Sequence, residues 1–211
     1  MISDFVIKGD TLLDYTGTDT DIVIPDGIRR IGDAFREKNI TSVTMPDSVS
    51  IICNVAFEGC AKLRQVKFSE KLRGIGCGAF RGCSDLTEIT FPERLSVINA
   101  MAFSDCTGLT AVTIPKPAGV IHGVIRDGAF CGCSSLRSIA LPNNFFFGAD
   151  LFFTRMGPLL TLQLWDPEER PAEKVLTVNY AGTKEAWTRI SEPIDTSFIS
   201  VVHCTDGDIT L

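Results

Sequence analysis

Cysteine and histidine are the side chains best suited to metal binding or nucleophilic catalysis, and this 211-residue chain holds eight cysteines and two histidines. No two cysteines have the Cys-x-x-Cys spacing that structural zinc sites favour. Four cysteines instead recur at steps of 23, 23 and 27 residues, and a methionine, Met156, stands 23 residues further on; the four are Cys60, Cys83, Cys106 and Cys133. A column that accepts methionine is typical of a small buried apolar slot. We predict that these thiols are structural and bind no metal. Neighbouring strands lie about 4.8 Å apart, within reach of a disulfide, so disulfide formation stays an alternative.

Residues for acid–base or covalent catalysis do not form a recognisable set. His122 and His203 are the only side chains that titrate near neutral pH without a large pKa shift. His203 precedes Cys204, but adjacent residues on a strand point to opposite faces and form no dyad. The sequence contains no dinucleotide-binding or phosphate-binding glycine motif, no Gly-x-Ser-x-Gly and no His-Glu-x-x-His. We predict that the protein is not an enzyme, with no catalytic residue and no cofactor.

The composition is that of a folded acidic protein. Hydrophobic residues make up 45% and charged residues 22% of the chain, and its net charge is −6. An acidic chain is a poor partner for nucleic acid or an anionic membrane. No apolar run approaches the roughly 20 residues of a membrane helix, so we expect no membrane insertion. The first ten residues lack the basic start and apolar run of a signal peptide, which favours a cytoplasmic location if the chain is full length.

An internal repeat organises most of the chain. The dipeptide Ala-Phe recurs with phenylalanine steps of 22, 23, 23 and 27 residues, and one further step of 23 reaches Phe153; the five phenylalanines are Phe35, Phe57, Phe80, Phe103 and Phe130. A leucine follows each phenylalanine from Phe57 onward by six residues, and pairs of apolar residues with one residue between them follow that leucine. A unit this short cannot bury its own apolar face, so neighbouring copies must stack around one core. We predict that Phe57, Phe80, Phe103, Phe130 and Phe153 lie in it.

Each copy predicts one strand and one short helical turn. Val66 and Phe68 alternate with polar residues, which is the pattern of a strand with one buried face. Proline directly follows five of these strands and ends the ladder there. Residues 96–103 are typical of the segment before each phenylalanine, which predicts a single helical turn. A glycine or aspartate two residues after phenylalanine indicates a left-handed residue at the end of that turn.

The repeat closely resembles a known family. Leu86-x-x-Ile89-x-Phe91 matches the first half of the leucine-rich-repeat pattern, and the full unit Ala-Phe-x-x-Cys-x-x-Leu-x-x-Ile-x-Phe-Pro resembles the BspA-type leucine-rich repeats of bacterial surface proteins. The resemblance implies an α/β solenoid, a right-handed coil with a parallel sheet on one face, over residues 19–166. It also implies adhesion or recognition at a bacterial surface. Host surface proteins are among the protein partners that it implies.

Both ends of the solenoid need a cap, because an open strand edge promotes aggregation. Two short apolar runs around Gly9 predict an N-terminal hairpin within residues 1–18. Residues 167–211 predict a C-terminal cap in which strands flank a short helix that begins at Thr183 and carries Trp187 and Ile190. The whole chain, residues 1–211, is therefore predicted to form one domain.

Two surfaces are candidates for partner binding. The first is the outward, concave face of the repeat strands, which presents small and polar side chains such as Gln65, Lys67, Glu88, Thr90 and Thr113. An ordinary solvated sheet surface explains the same pattern equally well.

The second surface surrounds an insertion in the fifth copy, which has four extra residues between its proline and its phenylalanine. Insertions in repeats form surface loops that often bind partners. Three consecutive phenylalanines belong to the next copy, so an apolar patch is expected beside the loop unless the rings pack beneath it. This candidate site consists of Lys116, Val120, Ile121, His122, Phe145, Phe146 and Phe147.

Two functions from different classes follow. The first is a non-enzymatic interaction module for adhesion or recognition. The alternative is an intracellular scaffold or oligomerising subunit whose partner is another bacterial protein. Metal-dependent hydrolysis is a distant third because the sequence offers no ligand set for it.

Overall fold

The computed structural model describes residues 4–115, 123–126, 128–143, 145–147, 176–191 and 199–211. The chain starts with an antiparallel hairpin of β1 (Phe5–Lys8) and β2 (Thr11–Tyr15), joined through Gly9 at a φ of 63°. Each repeat then contributes two parallel strands. The first set is β3 (Asp21–Val23), β5 (Ser42–Thr44), β7 (Gln65–Lys67), β9 (Glu88–Thr90), β11 (Ala111–Thr113) and β13 (Ser138–Leu141). The second set is β4 (Arg30–Ile31), β6 (Ile51–Ile52), β8 (Gly74–Ile75), β10 (Val97–Ile98), β12 (Gly123–Ile125) and β14 (Phe145–Phe147).

The helical turn that the sequence predicts in each repeat was wrong: a short strand begins the segment, and only single turns follow it, such as the one closed by the amide of Ala102 onto Asn99 O. In residues 96–103, Val97 and Ile98 are extended and pair with the strands of both neighbouring repeats. The amide of Asn99 donates to Ile75 O at 3.0 Å, and that of Phe103 to Ala129 O at 2.7 Å. These amides therefore bond along the stack rather than within a helical turn. β-branched residues favour the extended backbone that this requires.

The repeats consequently have parallel sheets on two sides, and not on one side as predicted. The second set joins the N-terminal hairpin in an eight-stranded sheet, ordered β1-β2-β4-β6-β8-β10-β12-β14. Its inward column is aliphatic and buried, and consists of Leu12, Ile31, Ile52, Ile75, Ile98 and Ile125. The left-handed residue predicted two positions after each phenylalanine is present, with φ between 60° and 74° at Gly59, Gly82, Asp105 and Gly132, and Glu37 has a φ of 58° in the first copy.

The first set is interrupted between β7 and β9. Strands β3, β5 and β7 form one sheet, and β9, β11 and β13 belong to another. At the interruption Phe68 and Phe91 pack against each other with ring centroids 5.5 Å apart. The matching position in the other described repeats is aliphatic: Ile24, Met45, Ile114 and Leu141. We attribute the interruption to the larger volume of two aromatic side chains at adjacent positions.

The C-terminal part extends the second of these sheets. Strands β15 (Leu176–Tyr180), β16 (Ile199–Cys204) and β17 (Gly207–Thr210) continue it beyond β13. Helix α1 (Lys184–Ser191) follows β15, and the Thr183 hydroxyl accepts the amide of Ala186 at 3.2 Å as an N-cap. Trp187 is buried beside Tyr180, at a centroid distance of 5.5 Å. The sequence predicts β15, α1 and β16 here but not β17. With its eight residues, α1 is too short to cross a membrane, and no other described segment offers such a helix.

A stack of phenylalanine rings runs through the core. Phe35, Phe57, Phe80, Phe103 and Phe130 are all buried, and successive ring centroids lie between 4.9 and 5.5 Å apart with interplanar angles of 3° to 11°. This separation is close to the distance of about 4.8 Å between strands. The rings can therefore follow the repeat without distorting the sheets. Phe153 lies outside the described residues.

The column cysteines pack beside this stack and also donate hydrogen bonds. Each is fully buried, and its thiol donates to the carbonyl oxygen of the phenylalanine one repeat earlier than its own. The Sγ···O distances are 2.9 Å for Cys60, 3.3 Å for Cys83, 3.1 Å for Cys106 and 3.2 Å for Cys133. Each of these carbonyls also accepts the backbone amide three residues later, so the thiol is its second donor. The sequence indicates the burial of this column but not its hydrogen bonds.

Burial raises the pKa of all four column thiols, because it disfavours the thiolate. The pKa rises to about 12 for Cys60 and for Cys106. The four groups are therefore neutral donors at physiological pH.

The first prediction concerns the ring stack. Phe80 packs between Phe57 and Phe103, at 4.9 and 5.0 Å, so Phe80→Ala removes contacts on both sides. We expect the free energy of unfolding to fall by roughly 3–5 kcal/mol, as for other large-to-small core changes. Urea denaturation followed by circular dichroism measures it. Phe80→Leu, which retains most of the volume, should cost clearly less, and a loss below about 1 kcal/mol for the alanine variant would contradict the role of the stack.

The second prediction concerns pH. The folded pKa of Cys60 and Cys106 lies near 12, above the ordinary value of 9.0, so their stabilising contribution is complete below pH 9 and is lost as the pH rises from 9 toward 12. At pH 10 the loss should be about 1–2 kcal/mol per thiol. The double variant Cys60→Ala/Cys106→Ala should therefore show a shallower fall in Tm between pH 8 and 10.5. Replacing the exposed Cys77 by alanine should leave the wild-type slope; equal slopes in all three proteins would contradict this prediction.

Candidate functional site

The thiols do not form a reactive centre. The four column cysteines are buried and carry raised pKa values, so they supply no thiolate at neutral pH. Outside the column, Cys77 is exposed, and Cys53, Cys131 and Cys204 are half-buried. All eight cysteines lie in the described part of the chain, and none of them forms a disulfide.

His203 pairs with an aspartate rather than with the adjacent cysteine. Its Nδ1 lies 2.8 Å from Asp208 Oδ1, across the antiparallel β16–β17 pair. Both side chains are about half exposed to solvent. Cys204 follows on the opposite side of the strand and packs against the core, where burial raises its pKa. Nucleophile and base are therefore on different faces, while His122 lies outside the described residues.

The described residues contain no cluster suited to a metal ion. Nowhere among them do three histidine, cysteine, aspartate or glutamate side chains come together closely enough to hold an ion. The most buried carboxylate is that of Glu58, which binds arginines from the two neighbouring repeats. Its Oε2 lies 2.9 Å from Arg36 Nε, and its Oε1 accepts from Arg81 Nη2. Because both oxygens face guanidinium groups, this carboxylate links three repeats through ion pairs. The sequence does not indicate its burial.

The predicted strand face is exposed but divided. Gln65 and Lys67 project outward from β7, and Glu88, Thr90 and Thr113 from β9 and β11; all five are exposed. Since β7 and β9 belong to different sheets, the first two residues are separated from the other three by the interruption.

Strand register adds Thr177, Asn179 and His203 to this face, and the sequence analysis missed these three residues. Glu88, Ala111, Ser138 and Thr177 form one outward row, and Thr90, Thr113, Ala140, Asn179 and His203 form the next. A groove of about 420 Å³ lies along the second row, between Ala140, Asn179 and His203. The pairing of β15 with β13 creates this extension, and no repeat motif marks β15 in the sequence.

The predicted insertion site is described only in part. Lys116, Val120, Ile121 and His122 lie outside the described residues. Phe145, Phe146 and Phe147 form β14, whose backbone pairs in parallel with β12, the strand that begins directly after the insertion. In this register Phe146 matches Val124, and Phe147 matches the buried Ile125. The backbone of the aromatic strand therefore lies beside that of β12.

The outer face of the eight-stranded sheet is a surface that sequence reasoning did not consider. Its outward column passes through Arg30, Ile51, Gly74, Val97 and Val124, and the backbone of Phe146 pairs in register with Val124. The two residues before each turn carry the sequence signal for this column. They align from repeat to repeat only when the second strand of each repeat is recognised.

Solved structures support the fold. A leucine rich cell surface protein from Faecalibacterium prausnitzii is 27% identical over 85% of this chain, with a TM-score of 0.58, and this chain spans only 37% of its length. A leucine rich repeat protein from T. pallidum is 25% identical over 89% of this chain and 90% of its own, with a TM-score of 0.63. The pneumococcal vaccine antigen PcpA shares the fold at 14% identity, with a TM-score of 0.62 over 94% of this chain and 45% of that one. A search of curated proteins finds no match.

The family comparison covers most of the chain. The model of the BspA type Leucine rich repeat region matches in six copies, over residues 10–123 and 122–164. These matches include every copy of the Ala-Phe repeat, the column cysteines and both sets of repeat strands up to β14. The chain therefore belongs to the BspA-type leucine-rich repeat family.

Proposed function

We propose that this protein is a non-catalytic interaction module that recognises a protein partner at a bacterial surface, and that residues 1–211 act as one domain. The observation that carries the proposal is the alternation of buried and exposed residues along each repeat strand. Inward residues such as Ile89 and Val112 are buried, whereas outward neighbours such as Thr90 and Thr113 are exposed on hydrogen-bonded strands. The likeness to the Faecalibacterium cell surface protein supports the location.

A stacked sheet suits recognition because its surface is already ordered before the partner arrives. The outward rows are fixed by backbone pairing between successive strands, for example Ala111 with Ser138 and Thr113 with Ala140. Binding to such a surface loses little backbone entropy, so modest polar contacts are sufficient for specific binding. Small and polar side chains on the face favour hydrogen bonding over hydrophobic anchoring.

The aromatic strand gives this proposal a second contact. Strand β14 is the last described strand of the eight-stranded sheet and pairs with β12, which begins directly after the insertion in the sequence. Apolar residues in such a strand, together with Lys116, Val120, Ile121 and His122, suit a partner that packs against this part of the sheet. We assign Phe146 to this contact, because its register partner Val124 is only half-buried.

The third prediction tests the strand face by protein capture. The immobilised full chain is incubated in parallel with host extracellular material and with a bacterial lysate. We expect it to retain a discrete protein from the host material, and we expect Lys67→Glu combined with Glu88→Lys to reduce retention at least tenfold without changing net charge. Retained proteins are quantified by mass spectrometry.

A matched charge exchange on exposed turns, Lys62→Glu with Glu93→Lys, should leave that retention unchanged. Retention of no protein would refute the interaction function. A partner from the bacterial lysate alone would refute recognition of host material and favour an internal scaffold.

The fourth prediction separates two neighbouring phenylalanines. Phe146→Ser should reduce capture of the partner while the Tm stays close to that of the wild type. Phe147→Ser should instead lower the free energy of unfolding, because Phe147 shares the register of the buried Ile125. Thermal unfolding and capture are measured on both variants; equal loss of stability in the two would show that Phe146 is part of the core.

A further inference from the structure

A groove of about 410 Å³ lies on the outer face of the eight-stranded sheet, across strands β4 to β10. Its floor is the outward column at Ile51, Gly74 and Val97. Ile51 and Val97 are half-buried, and Gly74 between them has no side chain. The floor therefore contains a notch one residue wide at Gly74, between the aliphatic side chains of Ile51 and Val97.

Nothing in the fold requires glycine at position 74. Its φ is not positive, and a Cβ added there would meet only Ile51 Cδ1, at an ordinary 3.7 Å. Gly76, two residues later, is different, because a Cβ there would lie 2.5 Å from the backbone of Cys53 and Asn54. Close packing thus explains Gly76, whereas the effect of Gly74 is to open the groove.

The rim of the groove is positively charged. Arg30 and Arg73 both line it and are exposed, and no aspartate or glutamate is among its lining residues. The Arg30 guanidinium donates a hydrogen bond to the Cys53 thiol, at 3.6 Å, and within the described part of the chain neither arginine forms an ion pair. Two such cations stand out on a chain whose net charge is −6.

We propose that this groove binds an acidic peptide segment of a partner protein, with an aliphatic side chain in the notch at Gly74 and carboxylates at Arg30 and Arg73. Guanidinium groups bind carboxylates through paired hydrogen bonds. Arg30 lies in β4, and Arg73 directly precedes β8, two strands further along the sheet, so their backbones are separated by roughly 10 Å, which an extended peptide crosses in about three residues. The aliphatic floor suits leucine or valine and offers no aromatic face for a sugar ring.

This inference rests on the proposed function, since it supplies the chemistry of a protein partner, but it uses a different surface from the strand face. The strand-face variants leave the groove intact, and groove variants leave the strand face intact. Failure at one surface is therefore distinguishable from failure of the interaction function as a whole.

The test uses the full chain and an array of fluorescent ten-residue peptides, each with one leucine between two glutamates placed two to four positions apart. We expect at least one spacing to bind in fluorescence polarisation, with affinity that falls as salt increases. Peptides with lysine in place of glutamate, or serine in place of leucine, should bind at least tenfold more weakly. Gly74→Val should also weaken binding at least tenfold, since it fills the notch, where an added Cβ meets only Ile51 Cδ1 at 3.7 Å.

The double variant Arg30→Glu/Arg73→Glu should abolish binding of the same peptides, and Lys67→Glu, on the other face, should not change it. If Gly74→Val were poorly folded, Gly74→Ala and the arginine variant would still decide the outcome. Absence of binding by every peptide would overturn the proposal, as would equal binding by wild type and Gly74→Val. Binding of heparin alone, lost in the arginine variant, would also overturn it, because the ligand would then be a sulfated sugar.

Discussion

Each repeat has too little apolar surface to fold alone. The repeats can share a core because the spacing of the stacked phenylalanine rings closely matches the spacing of the paired strands. Successive phenylalanine rings stack 4.9 to 5.5 Å apart, and paired strands are separated by about 4.8 Å. Because the rings advance along the stack at almost the same rate as the backbone, one side-chain arrangement is repeated without accumulating strain. The thiol column depends on this register, since Cys83 reaches the carbonyl of Phe57 only when neighbouring turns are aligned.

The same register determines what the protein can present to a partner. Alternation along each short strand buries one residue and exposes the next, so stacking converts single residues into rows on the surface. Where the core changes, the surface changes too. Phe68 and Phe91 interrupt the first sheet, and this divides the exposed face at the point between Lys67 and Glu88. Core packing therefore fixes the extent of each surface, and the outward residues fix its chemistry.

Much of this architecture can be predicted from the sequence, because the Ala-Phe and cysteine columns recur at a nearly constant period. The N-terminal hairpin and the helix after Thr183 follow from turn and capping residues. The second repeat strand could not be predicted in this way. Val97 and Ile98 form only a two-residue strand, too short to show alternation, and their pairing depends on neighbours 23 or more residues away. Likewise β17 and the exposed row through Asn179 exist only through tertiary pairing.

The candidate sites are harder to derive than the fold because outward positions are nearly free of packing constraints. Gly76 cannot accept a side chain without moving the backbone of the preceding repeat, so its identity reflects the fold. Gly74 can accept one, and the matching positions in adjacent repeats carry isoleucine and valine. A residue that the fold does not require, at a place where it opens a groove between two exposed arginines, is better explained by what the surface binds than by stability. In a repeat protein whose interior is this regular, such departures from the column are the most informative guide to function.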